Sequence, residues 1–417
     1  MTVTETTLDG WFKDRYETKG RDIVPEFSDL AESMVFSESE KLGDEYVFNV
    51  RVRRAHGMTW GGQTATAFAL NAVVSGQTVP GREKGYQAVM REQVAYGVVS
   101  RARSSVEAFG SAFDDVVRDM RNSMSFYREL NILYGGDSIG TLTGAGSAAA
   151  SVTYVITEAS WAPGLWAQME GASVDVYSAP GGTRRNTNGA LTISNVDFDT
   201  RSVTLTGVVA DNNAIQASDV VIPFEADAAW FDGLRVLVPN TGTMHNINAA
   251  TYGLWRGNGI GAGGAALTFA KVMRGSARAA FRGGLGPLTL RVSPYTWSDF
   301  NNDAAALRRY AAKMRMEADL GTEKLVFYGQ TGTIEIKPHP MIKAGEAFLT
   351  ADRYFKRVGS ADLTFRLPGV TGQQERFFRE LESNAGFELR QWWDQALVSF
   401  KPACSVLFTG IVNSQAI

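Results

Sequence analysis

The chain is 417 residues long, 44% hydrophobic and 20% charged, with a formal net charge of −3. That length holds one large domain or two to three smaller ones, and the near balance of 41 basic and 44 acidic side chains excludes a global demand for a nucleic-acid or membrane partner. Cys404 is the single cysteine, which excludes an internal disulfide and fits a reducing compartment.

The start, Met1 to Trp11, is polar and acidic without an apolar run, so no signal peptide is predicted. No N-x-[ST] sequon occurs anywhere, which agrees with an unsecreted protein. Residues 1–44 are rich in charge and hydroxyls with scattered Trp11, Phe12, Tyr16, Phe27 and Phe36. They read as an extended arm whose aromatics are useful only when docked on a surface, its own or another subunit's. Tyr46 to Arg54 alternates, with Phe48, Val50 and Val52 on one side and Asn49, Arg51 and Arg53 on the other, which predicts a half-exposed strand. Gly57 to Gly81 is a loose excursion without Asp, Glu, Lys or Arg, too polar in its Gly, Thr and Gln content to span a membrane. Tyr86 to Ser100 is predicted to return as a second extended run, completing a long projecting hairpin. That hairpin is basic: Arg51, Arg53, Arg54, Arg82, Lys84, Arg91, Arg101 and Arg103 outnumber Glu83 and Glu92. Such a cluster is either a solvated face or a contact to an acidic neighbouring surface.

Ser100 to Leu130 contains no proline, and Val106, Phe109, Phe113, Val116, Val117, Met120, Met124 and Tyr127 recur at spacings of three and four. This predicts a long helix with one apolar face. Asp114, Asp115, Arg118, Asp119 and Arg121 take the other face, Asp114 set to pair with Arg118 one turn on. Gly135-Gly136 after Tyr134 supplies the left-handed stop. Val152 to Phe224 turns toward short strands punctuated by Gly181-Gly182, Asn188-Gly189, Asp197 to Thr200 and Asp211 to Asn213, the pattern of a small barrel or sandwich. A helix is predicted from Thr268 to Arg282 and stopped by Gly283-Gly284, and a second from a Ser298 cap, with acids early and Lys313 and Arg315 late. Leu325–Tyr328 and Thr333–Lys337 read as a hairpin before a Pro338-His339-Pro340 corner. Gln373 to Ser383 reads as a short helix, and strands are predicted around Trp392-Trp393 and over Ser405 to Ile411.

Chemical motifs are weak. Gly136-Asp137-Ser138-Ile139-Gly140 matches the nucleophile pattern G-x-S-x-G, but a helix precedes it where a strand is needed. Gly259 to Gly264 matches G-x-G-x-x-G without a preceding strand or the later acidic residue a dinucleotide site requires. His56, His245 and His339 are far apart, so no zinc site is expected.

The order of elements carries more. Polar arm, basic hairpin, long helix ending in Leu133-Tyr134-Gly135-Gly136, β-rich insertion, two helices, a strand pair and a final strand resemble the major capsid (coat) protein of tailed double-stranded DNA bacteriophages, the Hong Kong ninety-seven fold. Local likeness lies in Tyr134-Gly135 through Ile139-Gly140, Arg282-Gly283-Gly284, Ser293-Pro294 with Trp297, and Lys337-Pro338-His339-Pro340. The resemblance implies an α+β fold: an N-terminal arm (1–44), an extended hairpin or E-loop (45–97), a peripheral domain with the spine helix (98–151), a β-barrel-like insertion (152–227), an axial domain (228–320), peripheral strands (321–366) and an axial C-terminal segment (367–417). It implies a structural protein without enzymatic activity, cofactor or metal. Hexamers and pentamers of the chain would close an icosahedral shell around packaged double-stranded DNA, assembled in the host cytoplasm and resident in the virion. A separate scaffolding protein, a portal protein and a decoration or cement protein are the implied partners, since the forty-odd residues before the hairpin leave no room for a built-in scaffolding segment. No membrane is implied. Trp11, Phe12, Arg51, Arg53, Arg54, Arg82 and Lys84 are the candidate intersubunit contacts. Two competing readings are an encapsulin-like bacterial compartment and a serine esterase using Ser138.

Overall fold

The computed structural model describes residues 29–37, 45–63, 66–95, 106–302, 325–330, 332–365, 378–381 and 385–414. Its spine is a helix over Val106–Tyr134, 29 residues and so about 44 Å long at 1.5 Å per residue. Met120 and Met124 are buried and Val116, Val117 and Tyr127 half-buried on the predicted face, while Arg118, Asp119 and Arg121 are exposed. The predicted Asp114–Arg118 pair lies outside the described side chains. From Glu129 to Tyr134 the helix is buried all round. It stops where predicted: a Cβ on Gly135 would stand 1.9 Å from the Phe231 carbonyl, and Gly136 takes φ +75°.

Segment Asp29–Ser37, expected as part of an extended arm, is folded onto the body. A short helix (Asp29–Ser33) buries Leu30 and Ala31, and strand β1 (Phe36–Ser37) follows. Strand β2 (Tyr46–Arg53) pairs antiparallel with β3 (Gln77–Glu83) in a two-stranded ribbon. The hairpin therefore returns nine residues earlier than predicted. Pro80 and Gly81 argue against a strand in isolation, but a two-stranded ribbon has a free edge that tolerates a missing N–H. The run expected to close the hairpin is strand β4 (Tyr86–Ala95), and its partner lies far down the chain.

The sheet under the spine is centred on a strand near the C-terminus. Short strands β5 (Gly140–Thr141) to β10 (Val220–Pro223) belong elsewhere and are taken below. β18 (Phe355–Thr364) and β19 (Phe378–Glu380) share one edge of β20 (Gly386–Ser399), β4 takes its other edge, and β1 lies parallel to β18. The spine helix packs against β4, β18 and β20. Phe378–Glu380 falls in the stretch expected to be a helix and is instead strand, because it finds a partner in Phe387–Leu389.

A second, six-stranded mixed sheet runs β13 (Gly259–Gly261), β21 (Val406–Thr409), β17 (Glu346–Thr350), β14 (Leu288–Val292), β16 (Thr333–Pro338), β15 (Leu325–Tyr328). The predicted β15–β16 hairpin is present. Sheet membership thus divides the later chain differently from the sequence segments 321–366 and 367–417. Strands β15 to β17 join β21, whereas β18 and β20 pair with each other, because partner choice depends on distant residues and not on local alternation. Helix Phe269–Phe281 lies on this sheet, capped by the Thr268 hydroxyl and ended by Gly283 at φ +88°. The following helix begins at Pro294, not after Ser298: Ser293 Oγ accepts the Thr296 N–H at 3.3 Å, and proline occupies the first helical position.

The third sheet runs β5, β10, β7 (Ser173–Tyr177), β8 (Leu191–Asp197), β9 (Ser202–Thr206), β6 (Ser151–Val155). Its two ends meet. Leu142 bridges Ile156, the Thr143 N–H donates to the Val155 carbonyl at 2.9 Å, and the Thr157 N–H donates to the Thr141 carbonyl at 2.8 Å. The ring closes over fully buried Val176, Leu191, Ile193 and Leu205, with Trp161 stacked on Trp166 at 6.2 Å. A tight turn between β11 (Thr243–Met244) and β12 (Ile247–Asn248) holds His245 and Asn246 at positive φ.

Candidate assembly interface

The hairpin is anchored at its base and bare at its tip. At the base, Phe48 stands edge-on to Phe400 (5.1 Å) and His245 (5.8 Å) and lies near Trp255 (6.5 Å). A glycine at position 81 is required because a Cβ would meet the Phe48 ring at 2.5 Å. His245 bridges the hairpin to the body: its Nδ1 is 2.6 Å from Glu83 Oε2, its Nε2 accepts the Ser399 N–H at 3.3 Å, and its carbonyl accepts the Arg82 N–H at 3.0 Å. Beyond Arg53 the apolar residues turn outward. Trp60 and Leu70 are each 81% exposed and Val73 87%, with Met58 and Phe68 more than half exposed. Isolated exposed apolar side chains are ordinary, whereas a group of them on one projecting segment is the kind of patch that interaction sites use. These residues were missed from sequence. Their one signal is large apolar residues without any period inside a stretch that carries no charge.

The structure separates the five cations named as candidate contacts. Arg82 and Lys84 face Glu45, at 3.2 and 3.8 Å. Arg51, Arg53 and Arg54 are exposed and line a cleft of about 850 Å³ between the hairpin and the body. Trp11 and Phe12 lie outside the described residues.

Where the N-terminal segment meets the body, buried charges hold it. Glu129, on the last turns of the spine, accepts the Leu30 N–H at 2.7 Å and the Ala31 N–H at 3.0 Å, and His339 Nε2 lies 3.1 Å from it. Arg291 reaches Asp29 at 3.1 Å and Asp352 at 2.8 Å. Burial opposes ionisation of Asp29, but Arg291 and then Lys337 outweigh it and hold the carboxyl below its usual range. Arg357 donates to the Met34 carbonyl at 2.8 Å and the Ala31 carbonyl at 3.1 Å. Asp362 likewise overcomes its own burial through Arg357 and Arg128 and stays below the usual carboxylate range.

The motifs that suggested chemistry sit in the following surroundings. Ser138 is buried at the helix exit with its hydroxyl 3.3 Å from Asp137 Oδ1, and its carbonyl accepts from Lys343 Nζ at 2.7 Å. Lys343 is itself buried, which pushes its ammonium pKa down, and it lies 4.1 Å above the Tyr134 ring. The two histidines downstream of Ser138 engage Glu83 and Glu129. Gly259–Gly261 is itself strand β13, and Gly263 and Gly264 make the turn after it at positive φ. Among the described residues no group of three His, Cys, Asp or Glu is placed to hold a metal, and no helix is long and apolar enough to cross a membrane.

No family model matches the chain, and no curated protein matches it in sequence. Among solved structures it is similar to a chain of the cyanophage A-1(L) capsid asymmetric unit, with a TM-score of 0.50 and 12% identity, covering 98% of this chain and 99% of that one. It is also similar to a chain of Mycobacterium phage Adephagia (TM-score 0.49, 10% identity, 100% of both chains). The capsid of a native GTA particle gives a TM-score of 0.49 at 9% identity, over 99% of this chain and 100% of that one.

Proposed function

We propose that this chain, whose fold resembles that of tailed-phage capsid chains, is the repeating subunit of an icosahedral shell enclosing double-stranded DNA. The supporting observation is the likeness to the cyanophage A-1(L) capsid chain over 98% of this chain and 99% of that one. The physical logic agrees. A single contact in such a shell is of standard size or smaller, and several contacts per subunit, each raising the effective concentration of the next, close it firmly. A hairpin fixed at its base by Phe48 and His245 and apolar at Trp60, Leu70 and Val73 is built to reach a neighbour.

In this reading the spine and its sheet are peripheral, the six-stranded mixed sheet is axial, and the closed ring of β5 to β10 is an insertion. The chain acts structurally and without catalysis. Its partners are itself in hexamers and pentamers, a separate scaffolding protein, a portal protein, a decoration or cement protein, and packaged DNA held without sequence preference. The shell assembles in the host cytoplasm and remains in the virion.

The experiment is negative-stain microscopy and sedimentation of the purified chain, alone and co-expressed with its scaffolding protein. Closed particles of uniform diameter are expected. A compact monomer at high concentration with the scaffolding protein supplied overturns the reading. Particles that protect a protein cargo and no nuclease-resistant DNA would favour an encapsulin-like compartment instead.

A further inference from the structure

The cleft between the hairpin and the body is lined by Arg51, Arg53, Arg54 and His56 from one side and by Arg282 and Lys401 from the other, and no carboxylate among the described residues lines it. Like charges gathered around one space repel, and a chain of net charge −3 has acids enough to have neutralised them. It does so on the same hairpin for Arg82 and Lys84, which share Glu45. It does not do so for Arg51, Arg53 and Arg54, whose guanidinium groups meet no carboxylate among the described residues.

The two cations of the body are held in place without being neutralised. Arg282 Nη1 donates to the carbonyls of Arg256 (2.7 Å) and Gly257 (3.2 Å). Lys401 Nζ sits 4.9 Å from the centre of the Tyr354 ring, and Arg353 lies 4.7 Å from the same ring. Neutral carbonyls and ring faces orient a cation and leave its charge available. Residues 49–54 line the cleft without interruption, so the anion-facing wall is a strand carrying arginine at 51 and 53. The volume, about 850 Å³, falls in the range of small-ligand sites. A DNA duplex, about 20 Å across with grooves built for a single helix, does not enter such a space.

We propose that this cleft binds a small polyvalent phosphate, free or as the triphosphate of a nucleotide. Guanidinium forks match phosphate oxygens two at a time, and several such pairs in one cleft give the strong, charge-assisted bonds that a lone surface pair lacks. The bound anion bridges the hairpin to the body through Arg51, Arg53 and Arg54 on one side and Arg282 and Lys401 on the other, so it fixes the angle at which the hairpin leaves the body. The site stands independently of the shell reading, since it is tested on the unassembled chain.

The test is calorimetric titration of the full-length, unassembled chain with sodium tripolyphosphate, ATP, orthophosphate and a short DNA duplex. Saturable one-to-one binding of tripolyphosphate and ATP is expected, weakening as salt rises. Arg51→Ser/Arg53→Ser/Arg54→Ser is expected to lose affinity by about tenfold or more. Arg82→Ser/Lys84→Ser, which removes charge from the same hairpin outside the cleft, is expected to bind as the parent does. Lys401→Ser supplies a single-residue check should the triple variant fold poorly, and it too is expected to weaken binding. Failure of both tripolyphosphate and ATP to bind at millimolar concentration overturns the proposal. So does equal weakening in the two hairpin variants, and so does binding of the duplex where neither small phosphate binds.

Discussion

Glu129 and His339 meet at 3.1 Å with both side chains buried, and the same Glu129 carboxylate accepts the Leu30 and Ala31 backbone N–H groups. One spine residue thus ties the first described helix to the Pro338-His339-Pro340 corner. Glu129→Ala leaves two buried donors and an imidazole without their acceptor, and the expected loss is about 3–5 kcal/mol in urea unfolding. Glu129→Gln keeps one acceptor oxygen and is expected to lose less. A Glu129→Ala variant within about 0.5 kcal/mol of the parent would show that the clasp contributes nothing.

The acid response of this segment follows from Asp29 and Asp362, both held below the usual carboxylate range against their own burial, by Arg291 and by Arg357 respectively. A carboxyl depressed in the folded state stabilises the fold above its unfolded value, and that stabilisation is lost as pH falls through the folded value. Residues 29–37 are therefore expected to gain hydrogen-exchange rate as pH drops below about 4, ahead of the spine helix. Equal loosening of segment and spine, or none, contradicts the assignment.

Much of the architecture was legible in local pattern and much of it was not. The helix end at Gly135-Gly136, the alternation of β2 and the β15–β16 hairpin are local signals, and each stands where predicted. Strand β3 was hidden by Pro80 and Gly81, which a ribbon with free edges tolerates. β4 was recognised as extended but given the wrong partner, because its neighbour Gly386–Gln395 lies about three hundred residues away and no local period encodes it. Among the proposed contact residues, alternation put Arg51 and Arg53 on the exposed side of β2, but not the Glu45 pairing that separates Arg82 and Lys84 from them. The Trp60–Val73 tip went unread because its apolar residues follow neither a helical nor a strand period.

That tip gives the most direct test of assembly. Trp60→Ser/Leu70→Ser removes two exposed side chains that touch little in the isolated subunit, so thermal stability is expected to change by no more than about 0.5 kcal/mol. Particle yield by sedimentation is expected to fall severely. Normal yield from this variant would remove the tip from the interface.

Charge reversal at Arg51, Arg53 and Arg54 together is expected to hinder particle formation while leaving the far-ultraviolet circular dichroism of the monomer unchanged. All three are exposed and carry no ion pair among the described residues. Normal particles would show that shell closure does not depend on these three charges.

The closed ring makes a prediction about fragments. A fragment of residues 152–224, the span whose sequence pattern is that of a small barrel or sandwich, omits β5 and Leu142, the residues that seal β10 to β6. A fragment of residues 138–227 is expected to give a cooperative β-type melting transition and the shorter one a weaker one or none. Equal transitions for the two would mean that the seal is not needed.

The far-reaching partner of β4 also sets a timetable. Glu129 waits for His339, Asp29 for Arg291, and Tyr86–Ala95 for a strand that leaves the ribosome some three hundred residues later. Long-range pairing of this kind is slow and comes late. A nascent chain consequently carries its exposed Trp60 and Leu70 well before it owns the platform that aims them, so in the shell reading productive encounters between sister chains begin only after translation is nearly finished.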